Sequence, residues 1–91
     1  MNMRTILHRD YTVEYSRTAD RTEVIVDVSD MTLVYGTDRD MTLLDISREL
    51  LEEIQKFLRA DPDADEYYHE YSTEELYKFM DALKRTIKEE E

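Results

Sequence analysis

Thr22-Glu23-Val24-Ile25-Val26-Asp27-Val28, then Ser29-Asp30, then Met31-Thr32-Leu33-Val34-Tyr35-Gly36: this run of residues 22–36 decides the fold. Val24, Val26 and Val28 alternate with Glu23, Ile25 and Asp27, the two-residue period of a strand with one apolar and one wet face. Ser29 and Asp30 leave room for nothing longer than a tight antiparallel hairpin, which brings Leu33 and Tyr35 onto the face of the valines. Upstream, residues 10–17 (DYTVEYSR) repeat the alternation through Tyr11, Val13 and Tyr15, and the polar stretch Arg17 to Arg21 turns the chain back. Residues 10–36 therefore read as a three-stranded meander with Tyr11, Val13, Tyr15, Val24, Val26, Val28, Leu33 and Tyr35 on its inner face. A sheet of that size needs a cover to be stable.

The second half supplies one. Between residues 42 and 60, Leu43, Leu44, Leu50, Leu51, Ile54, Phe57 and Leu58 recur at helical spacing, with Asp40 or Thr42 as the cap and Asp45 as the partner of Thr42. Pro62 ends this helix, because its ring pushes the preceding residue out of helical geometry. Residues 61–71 form an acidic loop. A second helix spans 73–88: Ser72 and Glu75 stand three apart, the spacing of a capping box, and Leu76, Phe79, Met80, Leu83 and Ile87 make its apolar stripe. Lys84, Arg85 and Lys88 suit the negative end of the helix dipole, whereas Glu89 to Glu91 oppose it and are expected to fray. Residues 2–8 are expected to add one short helical turn. The fold class is α+β, a three-stranded antiparallel meander packed against two C-terminal helices.

With 91 residues, the chain has room for one core and one domain, 1–91. It holds no cysteine, which removes disulfides, thiolate catalysis and sulfur-bound zinc. No apolar run approaches the roughly 18 residues of a membrane span, and MNMRTILHRD lacks the apolar stretch of a signal peptide, so a cytoplasmic protein is expected.

Charge is the dominant feature. The formal net charge is -11; residues 1–39 hold seven acids and five bases, residues 40–91 sixteen and seven. Such a chain repels nucleic acid and anionic membrane, and attracts basic proteins. The segment Asp61 to Glu75 concentrates the effect: Asp61, Asp63, Asp65, Glu66, Glu70, Glu74 and Glu75 occur with no Lys or Arg, interleaved with Tyr67, Tyr68 and Tyr71. Phosphates of duplex DNA recur about every 1.7 Å along the axis, so a ridge of carboxylates fits a groove made for that backbone. Tyrosines add flat amphipathic contact area.

Other chemistries find less support. Asp61, Asp63 and Asp65 have the spacing of the first ligands of an EF-hand, but Glu66 stands where the loop needs glycine and Ser72 where it needs a bidentate glutamate. No metal or cofactor is expected. His8 and His69 belong to no metal-binding or nucleophile spacing, the acids sit in polar stretches without the burial that raises a catalytic pKa, and Gly36 alone cannot build a phosphate loop. The chain does not read as an enzyme. Arg4, Arg9, Arg17 and Arg21 crowd the sheet half, but Asp10, Glu14, Asp20 and Glu23 are interleaved with them and cancel their field.

Met1-Asn2 at the start, Asp10-Tyr11-Thr12-Val13 opening a meander, and Glu70-Tyr71 followed by Glu74-Glu75 before the last helix resemble the small phage anti-CRISPR proteins that inhibit type II-A Cas9 by mimicking DNA. The likeness runs over most of the chain through short matching pieces. It implies that acids fill the pocket in which arginines read the PAM, with contacts at Asp10, at Asp30, and at Glu74 with Glu70 and Glu75 nearby. Ser72 and Thr73 stand where that family is acidic, so Asp61 to Glu66 would supply the missing charge.

The expectation is a monomeric or homodimeric inhibitor in the host cytoplasm that occupies a basic nucleic-acid groove of a Cas effector. Its contacts would be Asp10, Asp30, Asp61, Asp63, Asp65, Glu66, Tyr67, Glu70, Tyr71, Glu74 and Glu75. The alternative is an acidic interaction module, such as an antitoxin, an adaptor or an inhibitor of another DNA-binding protein, which binds through exposed helix faces.

Overall fold

A computed structural model describes residues 2–29, 31–59 and 71–91. The elements run β1 Asn2–Leu7, β2 Tyr11–Arg17, β3 Thr22–Val28, β4 Met31–Thr37, α1 Leu43–Arg59 and α2 Thr73–Glu90. The strands form one antiparallel sheet in the order β1-β2-β3-β4, and both helices pack on the same face of it. The α+β class holds, with four strands where three were expected.

The extra strand is β1, which replaces the expected helical turn over residues 2–8. It pairs with β2 from Asn2 opposite Arg17 to Leu7 opposite Thr12. The register puts Ile6 beside Val13 on the inner face, with Arg4 two residues earlier on the same side, and turns Met3, Thr5 and Leu7 outward. Only Ile6 of the inward set is apolar, so the alternation that marks the other strands is hidden. The β1–β2 turn closes with the His8 N–H donating to the Tyr11 carbonyl at 2.9 Å.

The expected inner face of the meander is the observed one. Val13, Val24 and Val26 are fully buried, as are Leu33, Val28 and Tyr11 within a few per cent, while Tyr15 and Tyr35 are half-buried. The β3–β4 turn uses Ser29 in the left-handed region at φ 55°, the conformation a two-residue hairpin loop demands. From α1, Leu43, Ile46, Leu50 and Ile54 enter the core; Leu51, Phe57 and Leu58 flank it half-buried. Leu76, Phe79, Met80, Ala82 and Leu83 come from α2.

Two caps stand where the sequence places them. Thr42 Oγ1 accepts the Asp45 N–H at 3.1 Å. Ser72 Oγ accepts the Glu75 N–H at 3.1 Å while the Glu75 carboxylate accepts the Ser72 N–H at 3.0 Å, a complete capping box. At the far end the expected fraying does not occur: α2 continues through Glu89 and Glu90. Glu90 pairs with Arg4 of β1, and Glu91 with Arg48 of α1 at 3.1 Å. These cations offset the unfavourable placement of acids at a helix C-terminus.

The link from β4 to α1 is held by two hydroxyls, those of the buried Thr22 and of Tyr15. Thr22 has no exposed surface; its Oγ1 donates to the Arg39 carbonyl at 2.7 Å and accepts the Met41 N–H at 3.3 Å. Tyr15 donates to the Met41 carbonyl at 2.7 Å beside it. Replacing Thr22 with Val strands a donor and an acceptor in the protein interior, which costs about 1–3 kcal/mol. Urea unfolding of Thr22→Val is therefore expected to lose that amount, and Thr22→Ser to lose less.

Candidate partner-binding surface

Three segments distant in sequence meet around one cleft: the β1–β2 turn at residues 8–10, the β3–β4 turn at Ser29, and the stretch of α2 from Lys78 to Arg85. Between them lies an open cleft of about 590 Å³ whose walls include His8, Asp10, Ser29, Lys78, Asp81 and Arg85. A smaller cleft beside Ser29 and Met31 reaches Glu75 and Lys78. Two of the expected contact positions, Asp10 and Glu75, thus share one end of the fold, with the exposed Glu74 one residue from Glu75.

Their roles differ. The Asp10 side chain is exposed, and its backbone N–H donates to His8 Nδ1 at 3.2 Å, with the His8 ring stacked on Tyr11 at 4.5 Å. Glu74 is exposed in the first turn of α2. Glu75 is half-buried and its carboxylate serves the capping box. Tyr71 donates to the Thr32 carbonyl at 2.6 Å and meets Phe79 edge-on at 5.5 Å. Glu75 and Tyr71 therefore hold the fold, whereas Asp10 and Glu74 present charge to solvent. Asp30, Asp61, Asp63, Asp65, Glu66, Tyr67 and Glu70 lie outside the described residues, as does His69.

The cleft carries both signs. Arg9, Lys78 and Arg85 line it with Asp10, Asp27 and Asp81. Asp27, Lys78, Asp81 and Arg85 were not read from the sequence as contact residues, Arg85 having been assigned only to the helix dipole. Their signal was the spacing of 78, 81 and 85, which puts them on one flank of a helix.

Elsewhere, arginine charge is met inside the protein. Arg4 pairs with Glu90, Arg17 with Asp40 at 3.0 Å, Arg21 with Glu23 at 3.3 Å, Arg39 with Glu49, and Arg48 with Glu91. Lys56 lies within 3.6 and 3.8 Å of Glu52 and Glu53. Three of the four arginines of the weak patch are thus paired, Arg4 and Arg17 with acids far along the chain and Arg21 with its near neighbour Glu23, while Arg9 lines the cleft. Arg21 also lies across Gly36, where an added Cβ would push its flexible guanidinium aside. The helix-free face of the sheet shows Glu14, Glu23 and Asp27.

Among the described residues, no group of three His, Cys, Asp or Glu side chains is placed to hold a metal ion. None of the described helices is long and apolar enough to cross a membrane. No protein-family model matches the chain, and neither curated proteins nor solved structures give a significant match.

Replacing Ser72 with Ala is expected to cost about 1 kcal/mol, the usual worth of an N-cap, and Glu75→Ala a comparable amount. Glu74→Lys is expected to stay within about 0.5 kcal/mol of the parent beyond the loss of a favourable dipole contact. Equal losses at Glu74 and Glu75 in thermal unfolding would contradict this division of roles.

The perturbed titrations belong to the frame. Burial raises the Tyr35 hydroxyl to about 12, helped by the adjacent Glu49 charge, to which the hydroxyl donates at 3.2 Å. Burial likewise raises Tyr11 and Tyr15. A phenol whose folded pKa lies above its unfolded value near 10 favours folding fully below pH 10, and that contribution fades as pH rises toward 12. Thermal stability is therefore expected to fall from pH 10 to 12, and less steeply in Tyr35→Phe.

Proposed function

We propose that this protein is an acidic inhibitor that occupies the basic nucleic-acid groove of another protein, and that its target class is a DNA-cutting Cas effector. The observation that carries the reading is the way charge is distributed. Among the described residues, Arg4, Arg17, Arg21, Arg39, Arg48 and Lys56 sit in ion pairs with the protein's own carboxylates. The net charge of -11 is unchanged by such pairing, and exposed acids such as Asp10 and Glu74 carry part of it. An excess of this size attracts cationic grooves and speeds encounter with them.

Asp10 and Glu74 supply the described part of the contact; Asp30, Asp61, Asp63, Asp65, Glu66 and Glu70 complete it, and Tyr67 adds apolar area. Binding is stoichiometric, competes with target DNA, and needs no chemistry from this chain. Choice of a Cas nuclease rests on the anti-CRISPR resemblance of Asp10 to Val13 and of Glu70, Tyr71, Glu74 and Glu75.

The test is a DNA-cleavage assay in which a type II-A nuclease loaded with guide RNA is titrated with the purified protein. The expected result is inhibition at near-equimolar protein, weakened at least about 10-fold in the variant carrying Asp10→Lys, Glu70→Lys and Glu74→Lys, which leaves the Glu75 cap intact. Circular dichroism of that variant should match the parent. Undiminished inhibition by a folded triple variant would overturn the acidic contact; no inhibition by the parent would overturn the target class.

A further inference from the structure

An antiparallel sheet covered by helices on one face commonly turns polar side chains to water on the other. The helix-free face here departs from that pattern. Its register turns Met3, Leu7, Ile25 and Val34 outward beside Glu14, Glu23 and Asp27, and the remaining outward positions are threonine, serine and glycine. Met3 and Leu7 are 72% and 81% exposed and Val34 41%; these are three of the four large apolar side chains that stand exposed among the described residues. Ile25 lies directly across from Val34 and is half-buried. Apolar side chains gathered on one open face mark a surface that another molecule covers.

We propose that this face is the second half of the partner-binding surface, packed in the complex against apolar side chains and lysines or arginines of the same basic groove that receives Asp10. It rests on the function proposed above, and two observations select that occupant. The first is charge. Glu23 is matched within the chain by Arg21 at 3.3 Å, but among the described residues neither Glu14 nor Asp27 has a Lys or Arg within ion-pair distance. Glu14 is exposed between Thr5 on one side and Ile25 on the other, so a cation that reaches it comes to rest among the apolar residues. Asp27 is held on the face by the Thr32 hydroxyl, which donates to its carboxylate.

The second observation is continuity. Thr12 and Asp27 are directly paired on the helix-free face, and both also line the cleft that holds Asp10. A groove wall in contact with Asp10 therefore continues onto the sheet. Other occupants fail on charge: a second copy brings the same acids against Glu14 and Asp27, and nucleic acid or an anionic membrane brings phosphates. A partner that pairs cations with apolar side chains satisfies both kinds of residue at once.

The chain has no cysteine, so Leu7→Cys, Val34→Cys and Ala19→Cys each carry a single thiol. Ala19 is exposed in the β2–β3 turn, at the end of the sheet away from the cleft. The rate of thiol alkylation is measured for each variant free and in complex with a guide-loaded type II-A nuclease. Leu7→Cys and Val34→Cys are expected to react at least about 10-fold more slowly in the complex, because reactivity follows access to the thiol, and Ala19→Cys at an unchanged rate. Glu14→Lys is expected to weaken inhibition of cleavage about 10-fold with unchanged circular dichroism. A complex that inhibits cleavage while Leu7→Cys and Val34→Cys slow no more than Ala19→Cys overturns the inference and leaves the acidic contact standing. Slowing in the protein alone as its concentration rises marks a second copy on this face and overturns it as well. Where no complex forms, the cleavage assay has already refuted the target class, and this inference falls with it.

Discussion

Burial of one face of β3 under both helices is the constraint on which the structure depends. Val24, Val26 and Val28 sit at the centre of the sheet, where β3 alone touches both α1 and α2 substantially. Ile46, Leu50 and Ile54 on one helix and Leu76, Phe79 and Leu83 on the other close over them without leaving exposed surface. A chain this small has no second core to fall back on. Every other feature is either a tie that keeps the helices on that face or a charge kept away from it.

The ties are polar and sit at the margins. Thr22 and Tyr15 anchor the β4–α1 link through the carbonyls of Arg39 and Met41. Arg4 and Arg48 reach the end of α2 from β1 and α1. Tyr71 joins the start of α2 to the β4 edge. Exposed ion pairs are individually worth little; their consequence here is electrostatic bookkeeping of another kind. They tie cations to carboxylates of the same chain and leave the net excess of acid to the remaining side chains.

Much of the fold was legible because period and punctuation agreed. The alternation of residues 11–15, 24–28 and 33–35 identified three strands and their common inner face, and Thr42, Ser72 and Glu75 marked the helix starts. Ile46 escaped the stripe assigned to α1 although it lies three residues after Leu43 and four before Leu50. What was hidden had specific causes. In β1, Arg4 occupies an inward position and Met3 and Leu7 occupy outward ones, inverting the usual pattern. The acids at the end of α2 looked unfavourable until Arg4 and Arg48, distant in sequence, came beside them. Asp10 entered as a candidate through the anti-CRISPR resemblance and Glu74 through the density of acids before α2; only the fold shows that both are exposed, that Glu75 and Tyr71 are occupied in capping and in bonding β4, and that Asp27, Asp81, Lys78 and Arg85 share a cleft with Asp10.

The central claim is that an outward negative field replaces nucleic acid in a partner's basic groove. It is tested most directly by measuring the equilibrium constant between this protein and a guide-loaded Cas nuclease at a series of salt concentrations from about 0.05 to about 0.5 M, across which the screening length shrinks severalfold. Affinity falling steeply and log-linearly with salt, as for DNA in the same groove, is the predicted result. Affinity that holds constant over that range would contradict it.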